Sequence, residues 1–346
     1  MKSMMLTGIR KMEMRDVPDP VIVNTADVII KMKVAGVCGS DIHYYVNGRI
    51  GSQVVSYPFT VGHEGAGEVM EVGPGVSKIK KGDRIAIEPA MPCLDCDQCF
   101  SGRPHTCRKL RFLGCPGQAE GCLSEYILMP ESSCFTIPGS MSYDEATISE
   151  PLAIGLYSVR QAMPVKGSSL GVLGFGPIGM SVMLSANAKK AGKIYVTDRI
   201  PERANLAVQT GAVWSGNPDK EDIVKGIKKK EPLGLDAIFE CCGKQEAMNQ
   251  AVNLVKPGGK ILIVGIPEFD NWTFCADELR RKEISLINIR RQNHALEETL
   301  DIISNLKVNV KPMVTHRFDF ENTPQAFNLV SGYKDGVMKA LIDFSL

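Results

Sequence analysis

The sequence predicts an α/β protein in two parts, a β-rich first part and a doubly wound parallel sheet after it. Three observations carry that prediction. The chain has 346 residues, more than one ordinary core accommodates. Residues 1 to about 150 hold short apolar runs separated by glycine-bearing turns. Residues 168–290 instead alternate apolar strands with helical stretches, the pattern of a parallel sheet with helical crossovers.

In the first part, Asp27–Val34 and Arg84–Ile87 read as strands, and residues 65–81 alternate β-formers with turns. In the second part, strands are expected at Leu170–Leu173, Ile194–Thr197, Leu235–Glu240 and Lys260–Val264, with a helix over Pro177–Lys190. A further helix is expected over Ala295–Leu306, in a tail that rejoins the first part.

Composition excludes several function classes. Hydrophobic residues make up 44% and charged residues 23%, and 40 basic residues face 39 acidic ones. Such a balance draws the chain neither to nucleic acid nor to an anionic membrane. No long apolar run or charged-then-apolar leader is present, which argues against a membrane span and a secretory signal. Eleven cysteines in a chain this long fit reduced thiols in a reducing cytoplasm better than a disulfide scaffold.

Cys93, Cys96, Cys99 and Cys107 follow C-x2-C-x2-C and then seven intervening residues. Short steps of this kind let one loop wrap four thiolates around a single zinc at about 2.3 Å each, and a site closed by four thiolates is structural. The chemistry is therefore expected elsewhere.

Gly174-Phe175-Gly176-Pro177-Ile178-Gly179 is a G-x-G-x-x-G turn between a strand and a helix, and a second strand ends at Asp198. The first glycine permits the turn, the second lets backbone approach a pyrophosphate, and the third packs helix on strand. Unpaired N–H groups at the helix start face the phosphates. Asp198 is placed to accept from the adenosine ribose, which favours NAD over NADP. Arg199 beside it could instead pair a 2′-phosphate.

Cys38, His63, Glu64 and Glu150 are the ligand types of an open catalytic zinc, but they are spread too widely to form a local motif. The strings GVCGSDIH, VGHEGAGEV, GDRIAIEP, ISEPLAIGL and GFGPIGM together resemble the zinc-dependent medium-chain dehydrogenases/reductases, in order and over nearly the whole chain. HYYVNGRIG at 43–51, GDRIAIEP at 82–89, VNVKPMVTHRF at 308–318 and the Arg290 segment resemble the sorbitol and polyol dehydrogenase branch. All four lobe cysteines are kept, which resembles the microbial or fungal type rather than the animal one. Arg291 stands where animal enzymes tend to carry an aromatic residue.

The resemblance implies a GroES-like catalytic domain over 1–150 and 288–346, with the structural zinc lobe at about 90–110, and a Rossmann NAD-binding domain over 151–287. It places the active site in the cleft between them. Cys38 and His63 would bind catalytic zinc directly, Glu64 would be a further ligand, and Glu150 would ligate directly or through water. Ser40 and His43 would relay a proton, with Glu150 as a rival base and Asp41 orienting His63. Arg203, Gly265, Ile289 and Arg290 are further candidates for cofactor contacts. Tyr44, Ile50, Phe112, Ser40, Glu150 and Arg290 are candidates for the substrate site.

The implied reaction is oxidation of a secondary alcohol of a polyol to a ketose, with zinc as Lewis acid and hydride passing to NAD. The alternatives are an L-threonine 3-dehydrogenase, a butanediol-type dehydrogenase, a dehydrogenase of sugar-alcohol phosphates, or a non-catalytic zinc protein. By analogy the protein is a cytoplasmic homo-oligomer, a tetramer, with a small-molecule substrate. Cys241 and Cys242 read as small core residues; Cys115, Cys122, Cys134 and Cys275 have no assigned role.

Overall fold

The computed structural model describes residues 1–345. The chain divides into two compact units. One comprises Met1–Glu150, Leu296–Leu306 and the chain from Val310 onward, and the other Pro151–Ala295 with Lys307–Asn309.

The first unit is built on a seven-stranded sheet. Its order is Cys134–Thr136, Arg84–Ile87, Glu64–Val72, Asp27–Gly36, Lys339–Asp343 and Val314–Asp319, with Tyr126–Pro130 also pairing to Asp27–Gly36. The pairings are antiparallel except between the last two strands of that order. Lys11–Asp16, Lys2–Gly8 and Phe59–Thr60 form a second small sheet. Leu6, Ile30, Met32, Ile85, Ile87 and Phe327 are among the apolar side chains of one buried cluster. Burying apolar area of this kind is the dominant favourable contribution to folding.

Two pairings matter for the site. Gly36 lies opposite Glu64 on one side and opposite Leu341 on the other. Gly36, two residues before Cys38, is thereby fixed between a ligand-bearing strand and the strand Lys339–Asp343.

The second unit holds a six-stranded parallel sheet in the order Trp214–Gly216, Lys193–Thr197, Ser169–Leu173, Leu235–Glu240, Val255–Ile263 and Ser285–Asn288. The chain builds outward from Ser169–Leu173 in one direction and then returns to build in the other. That reversal creates the switch point at which open α/β sheets bind ligands. Strand cores such as Val172, Ile194, Ile238 and Ile261 are buried, as expected for a sheet covered on both faces.

Element boundaries shift modestly from expectation. The strand expected over Lys260–Val264 begins at Val255 and ends at Ile263, with an irregularity in its pairing where Pro257 and two glycines intervene. The first expected helix ends at Ala188. The tail helix is Leu296–Ser304.

Residues 288–295 belong with the second unit. Asn288 pairs with Ile263, and the Arg160 guanidinium donates to the carbonyls of Asn293 and His294 at 3.2 and 3.0 Å. Among the described residues no helix is long and apolar enough to cross a membrane.

Candidate active site

Cys38 follows the strand Asp27–Gly36 and serves as the N-cap of the helix Gly39–Asn47. The cap is reciprocal. The Cys38 sulfur accepts from the Asp41 backbone N–H, and the Asp41 carboxylate accepts from the Cys38 N–H at 3.1 Å. The Ser40 hydroxyl adds a donor 3.4 Å from that sulfur.

Asp41 is fully buried. Its other oxygen accepts from the Gly62 N–H at 3.2 Å and lies 3.4 Å from His63 Nδ1. One carboxylate thus ties the helix start to the segment carrying His63. With Nδ1 turned to Asp41, Nε2 is the nitrogen left to ligate.

Burial works against a charged His63. The Asp41 carboxylate and the Cys38 sulfur outweigh it and hold the imidazole pKa well above its ordinary value. The surroundings therefore stabilise positive charge at this point. One donor atom each from Cys38, His63 and Glu64 lies within 4.8 Å of the others. Sulfur, imidazole and carboxylate at such separations fit a zinc with an open position.

Both Glu64 oxygens lie 2.7 Å from the Lys339 ammonium. Lys339 is 1% exposed, and sequence reasoning missed it. A lysine deep in a site leaves no trace in local spacing.

Glu150 lies outside the three-residue cluster. It sits in the helix Tyr143–Ala162 just before Pro151. It is buried, and its Oε2 has no hydrogen-bond partner. Burial pushes its pKa up to about 8, with the charge of His63 opposing the rise and that of Glu64 adding to it. A buried carboxylate oxygen without a donor is costly unless a cation or water completes it.

The candidate substrate residues divide. The Phe112 ring packs on His63, with centroids 5.4 Å apart. Tyr44 is buried, and its hydroxyl donates to Gln53 Oε1 at 3.3 Å. Gln53 Nε2 donates in turn to the Cys115 sulfur at 2.9 Å, so Cys115 joins a small polar cluster that sequence reasoning overlooked. Ile50 lies in a two-residue strand paired to Gln53–Val54.

Cys93, Cys96, Cys99 and Cys107 converge as their spacing predicts. The Cys93–Cys107, Cys96–Cys99 and Cys96–Cys107 S···S separations are 3.4, 3.6 and 3.9 Å. A tetrahedron with Zn–S bonds of about 2.3 Å has edges of about 3.8 Å. Backbone N–H groups of Cys93 and Lys109 donate to the Cys107 sulfur, each at 3.3 Å. Similar bonds from Arg108 and Cys99 lower the Cys96 thiol to about 6. Burial and the neighbouring Cys96 and Cys107 sulfurs push the Cys99 thiol up to about 11, so four thiolates together call for a cation among them. All the cysteines are free of disulfides.

At the glycine turn, Gly174 has φ +93°, and a Cβ on Gly179 would lie 2.0 Å from the Gly174 carbonyl oxygen. Neither position tolerates a side chain. Gly176 caps the helix Pro177–Ala188, with Pro177 in its first turn, a favoured N1 residue. Phe175 is fully buried and Ile178 partly so.

Asp198 braces the turn. Its Oδ2 accepts from the Phe175 N–H at 2.7 Å and its Oδ1 from the Ile200 N–H at 2.8 Å. Each carboxylate oxygen keeps a second lone pair for a ligand. Arg199 pairs with Asp219 at 2.7 Å on the surface. The buried Arg203 reaches toward Gly176, whose Cβ would lie 3.3 Å from its NH1.

Gly265 faces Gly243 and Glu240, and a Cβ there would lie 2.3 Å from the Gly243 nitrogen. Glu240 is fully buried and accepts from the N–H groups of Cys242 and Gly243. Cys242 is exposed rather than in the core, because the chain has already turned out of the strand Leu235–Glu240 into that loop. Ile289 continues the last strand, its N–H donating to the Ile263 carbonyl. Arg290 follows and is exposed.

The two units each match a known family. The alcohol dehydrogenase GroES-like domain matches residues 24–139, and the zinc-binding dehydrogenase domain matches residues 177–305. The chain belongs to the zinc-dependent medium-chain dehydrogenases, oxidoreductases whose cofactors are zinc and NAD(H).

Within that class it is similar to the sorbitol dehydrogenase of Bacillus subtilis strain 168, at 34% identity over 99% of this chain and 97% of that one. It is similar to the crystal structure of an Escherichia coli oxidoreductase of unknown specificity, with TM-score 0.93, 32% identity, and 99% and 98% coverage. It is also similar to an Escherichia coli alcohol dehydrogenase complexed with NADH, with TM-score 0.90, 26% identity and 99% coverage of each chain.

Proposed function

We propose that this protein oxidises a secondary hydroxyl of a polyol, of the sorbitol or xylitol kind, to the ketose with NAD. The observation that carries the reading is the convergence of Cys38, His63 and Glu64 within 4.8 Å beside the Phe112 ring. The first unit is then the catalytic domain and the second the NAD-binding domain.

In this reading Cys38, His63 and Glu64 hold the catalytic zinc, and the four-cysteine lobe holds a structural one. When bound, the metal contributes Lewis acidity toward the reacting hydroxyl, and the nicotinamide ring accepts hydride. The chain supplies the rest. Asp41 fixes the orientation of His63. Glu150, buried with an unpartnered oxygen, sits where a bound water or substrate hydroxyl would complete it. Ser40, already donating to the Cys38 sulfur, and His43, one turn along the same helix, are the proton relay.

Phe112, Tyr44 and Ile50 form the pocket wall. Gly174 to Gly179 take the pyrophosphate. Asp198 takes the adenosine ribose and repels a 2′-phosphate, while Asp219 occupies the neighbouring Arg199. Arg203, Gly265 and Ile289 complete the cofactor contacts. By analogy with relatives, the protein is taken as a cytoplasmic homotetramer.

The test is a panel of sugar alcohols, their phosphates, butanediol and L-threonine, each with NAD and NADP, alongside zinc content. The expected result is turnover of a free polyol with NAD by a protein holding two zinc ions per chain. Turnover of L-threonine, butanediol or a polyol phosphate without any free polyol overturns the substrate assignment. One zinc per chain, held at the four-cysteine lobe, overturns the catalytic reading.

A further inference from the structure

Lys339 opens the strand Lys339–Asp343, close to where that strand pairs with the end of Asp27–Gly36. Its ammonium donates to both Glu64 oxygens at 2.7 Å and to the Val37 carbonyl at 3.1 Å. All three donors of an ammonium are thereby used. One cation grips a metal-ligand carboxylate and the backbone one residue before a ligand cysteine.

A buried ion pair is weak evidence for stability, because a well-packed apolar pair often serves as well. An ammonium beside a position that receives a metal is costlier still, since like charges repel. The arrangement therefore calls for a reason beyond folding.

Charge counting supplies one. A Cys38 thiolate and a Glu64 carboxylate balance the two positive charges of zinc, and His63 as a ligand is neutral. Lys339 makes the assembly net positive, which favours an anion at the open position and draws electron density from Glu64. The other nearby acids are Asp41, committed to the amides of Cys38 and Gly62 and to His63, and Glu150.

The geometry points to Lys339 as a positioning residue of the metal centre: it holds Glu64 by both oxygens and limits the negative charge Glu64 lends the metal. This rests on the reading of Cys38, His63 and Glu64 as a zinc site. Lys339 itself touches neither substrate nor cofactor in this account. It acts through Glu64.

The test uses the whole enzyme with Lys339→Met, Lys339→Arg, Glu64→Gln and the neutral pair Glu64→Gln with Lys339→Met. Three quantities are measured: metal content, the visible spectrum of the substrate-free enzyme with cobalt(II) at this centre, and the pH dependence of kcat/KM. Lys339→Met is expected to change the cobalt bands and move the rising limb of kcat/KM to higher pH by about one unit. Lys339→Arg, which keeps the charge, is expected to restore most of both.

Wild-type cobalt bands and pH limb in Lys339→Met overturn the proposal. So do Arg and Met variants that are altered alike. If Lys339→Met does not fold, the neutral pair, which leaves no uncompensated buried charge, carries the spectral test. Because Lys339 acts through Glu64, the bands of the pair are expected to match those of Glu64→Gln alone, and bands that differ between the two overturn the proposal. A wild-type enzyme with one metal per chain overturns the zinc-site reading itself. Two metals with unchanged spectra overturn only the role of Lys339.

Discussion

Gly36→Ala probes the site through the backbone rather than through a ligand. Gly36 lies opposite Glu64 in the sheet. A Cβ added there would sit 2.2 Å from Glu64 Oε2, 3.2 Å from its Cβ and 3.3 Å from its Cδ. Ordinary contact between such atoms is about 3.5 Å, so the carboxylate must move by roughly 1 Å. The side chain is fully buried and has little room to do so. A shift of that size takes at least one of the 2.7 Å contacts to Lys339 beyond hydrogen-bond range. A charge-assisted bond of this kind contributes about 1.5–3 kcal/mol, so in a chain of 346 residues the melting temperature should fall by roughly 2–4 °C. Misplacing a catalytic group by ~1 Å costs on the order of 100-fold, and kcat/KM should fall by that factor. Calorimetry and steady-state kinetics read the two effects. Gly39→Ala is the control, because a Cβ there meets nothing within 4 Å. A Gly36→Ala enzyme with wild-type melting and kcat/KM, or one matched by Gly39→Ala, would refute the reasoning.

Replacing Cys96 by Ser should lower zinc from two ions per chain to one and lower the melting temperature, as read by metal analysis and calorimetry. Asp198→Ala removes the acceptor for the Phe175 and Ile200 amides; KM for NAD should rise by one to two orders of magnitude, about 1.4 kcal/mol per tenfold, with kcat at saturating NAD nearly unchanged. A Glu150 carboxyl raised to about 8 by burial keeps its proton in the folded chain but loses it in the unfolded one between about pH 4.5 and 8. The folded state then binds more protons in that window, so metal-free enzyme should lose stability as pH rises through it, by on the order of 1 kcal/mol per unit at most. Denaturation of chelator-treated enzyme across that range should show the slope, and Glu150→Gln should flatten it.

What could be read from the sequence depended on how local each feature is. The four lobe cysteines lie within one loop, so their spacing alone defined the cluster. The glycine turn was legible for the same reason: strand, turn and helix are adjacent in the chain. The three-donor metal site was not local. Cys38 caps a helix 25 residues before the adjacent His63 and Glu64, and only the likeness of several strings to a family brought them together. Strand ends were the least readable, as in Val255–Ile263, where Pro257 and its neighbouring glycines disguise the start of a strand.

Lys339, Gln53 with Cys115, and Glu240 were illegible for a physical reason. Each acquires its role from a contact that exists only once a strand register or a loop turn is set. Lys339 reaches Glu64 across 275 positions of sequence, and it does so because Gly36 pairs with both Glu64 and Leu341. A slip of one residue in either pairing would turn the lysine or the glutamate to the opposite face of the sheet. The unpaired charge would then be buried on a face with no partner, a large penalty. The buried ion pair therefore also penalises the wrong register, and the chain's last strand completes the surroundings of ligands laid down near its start.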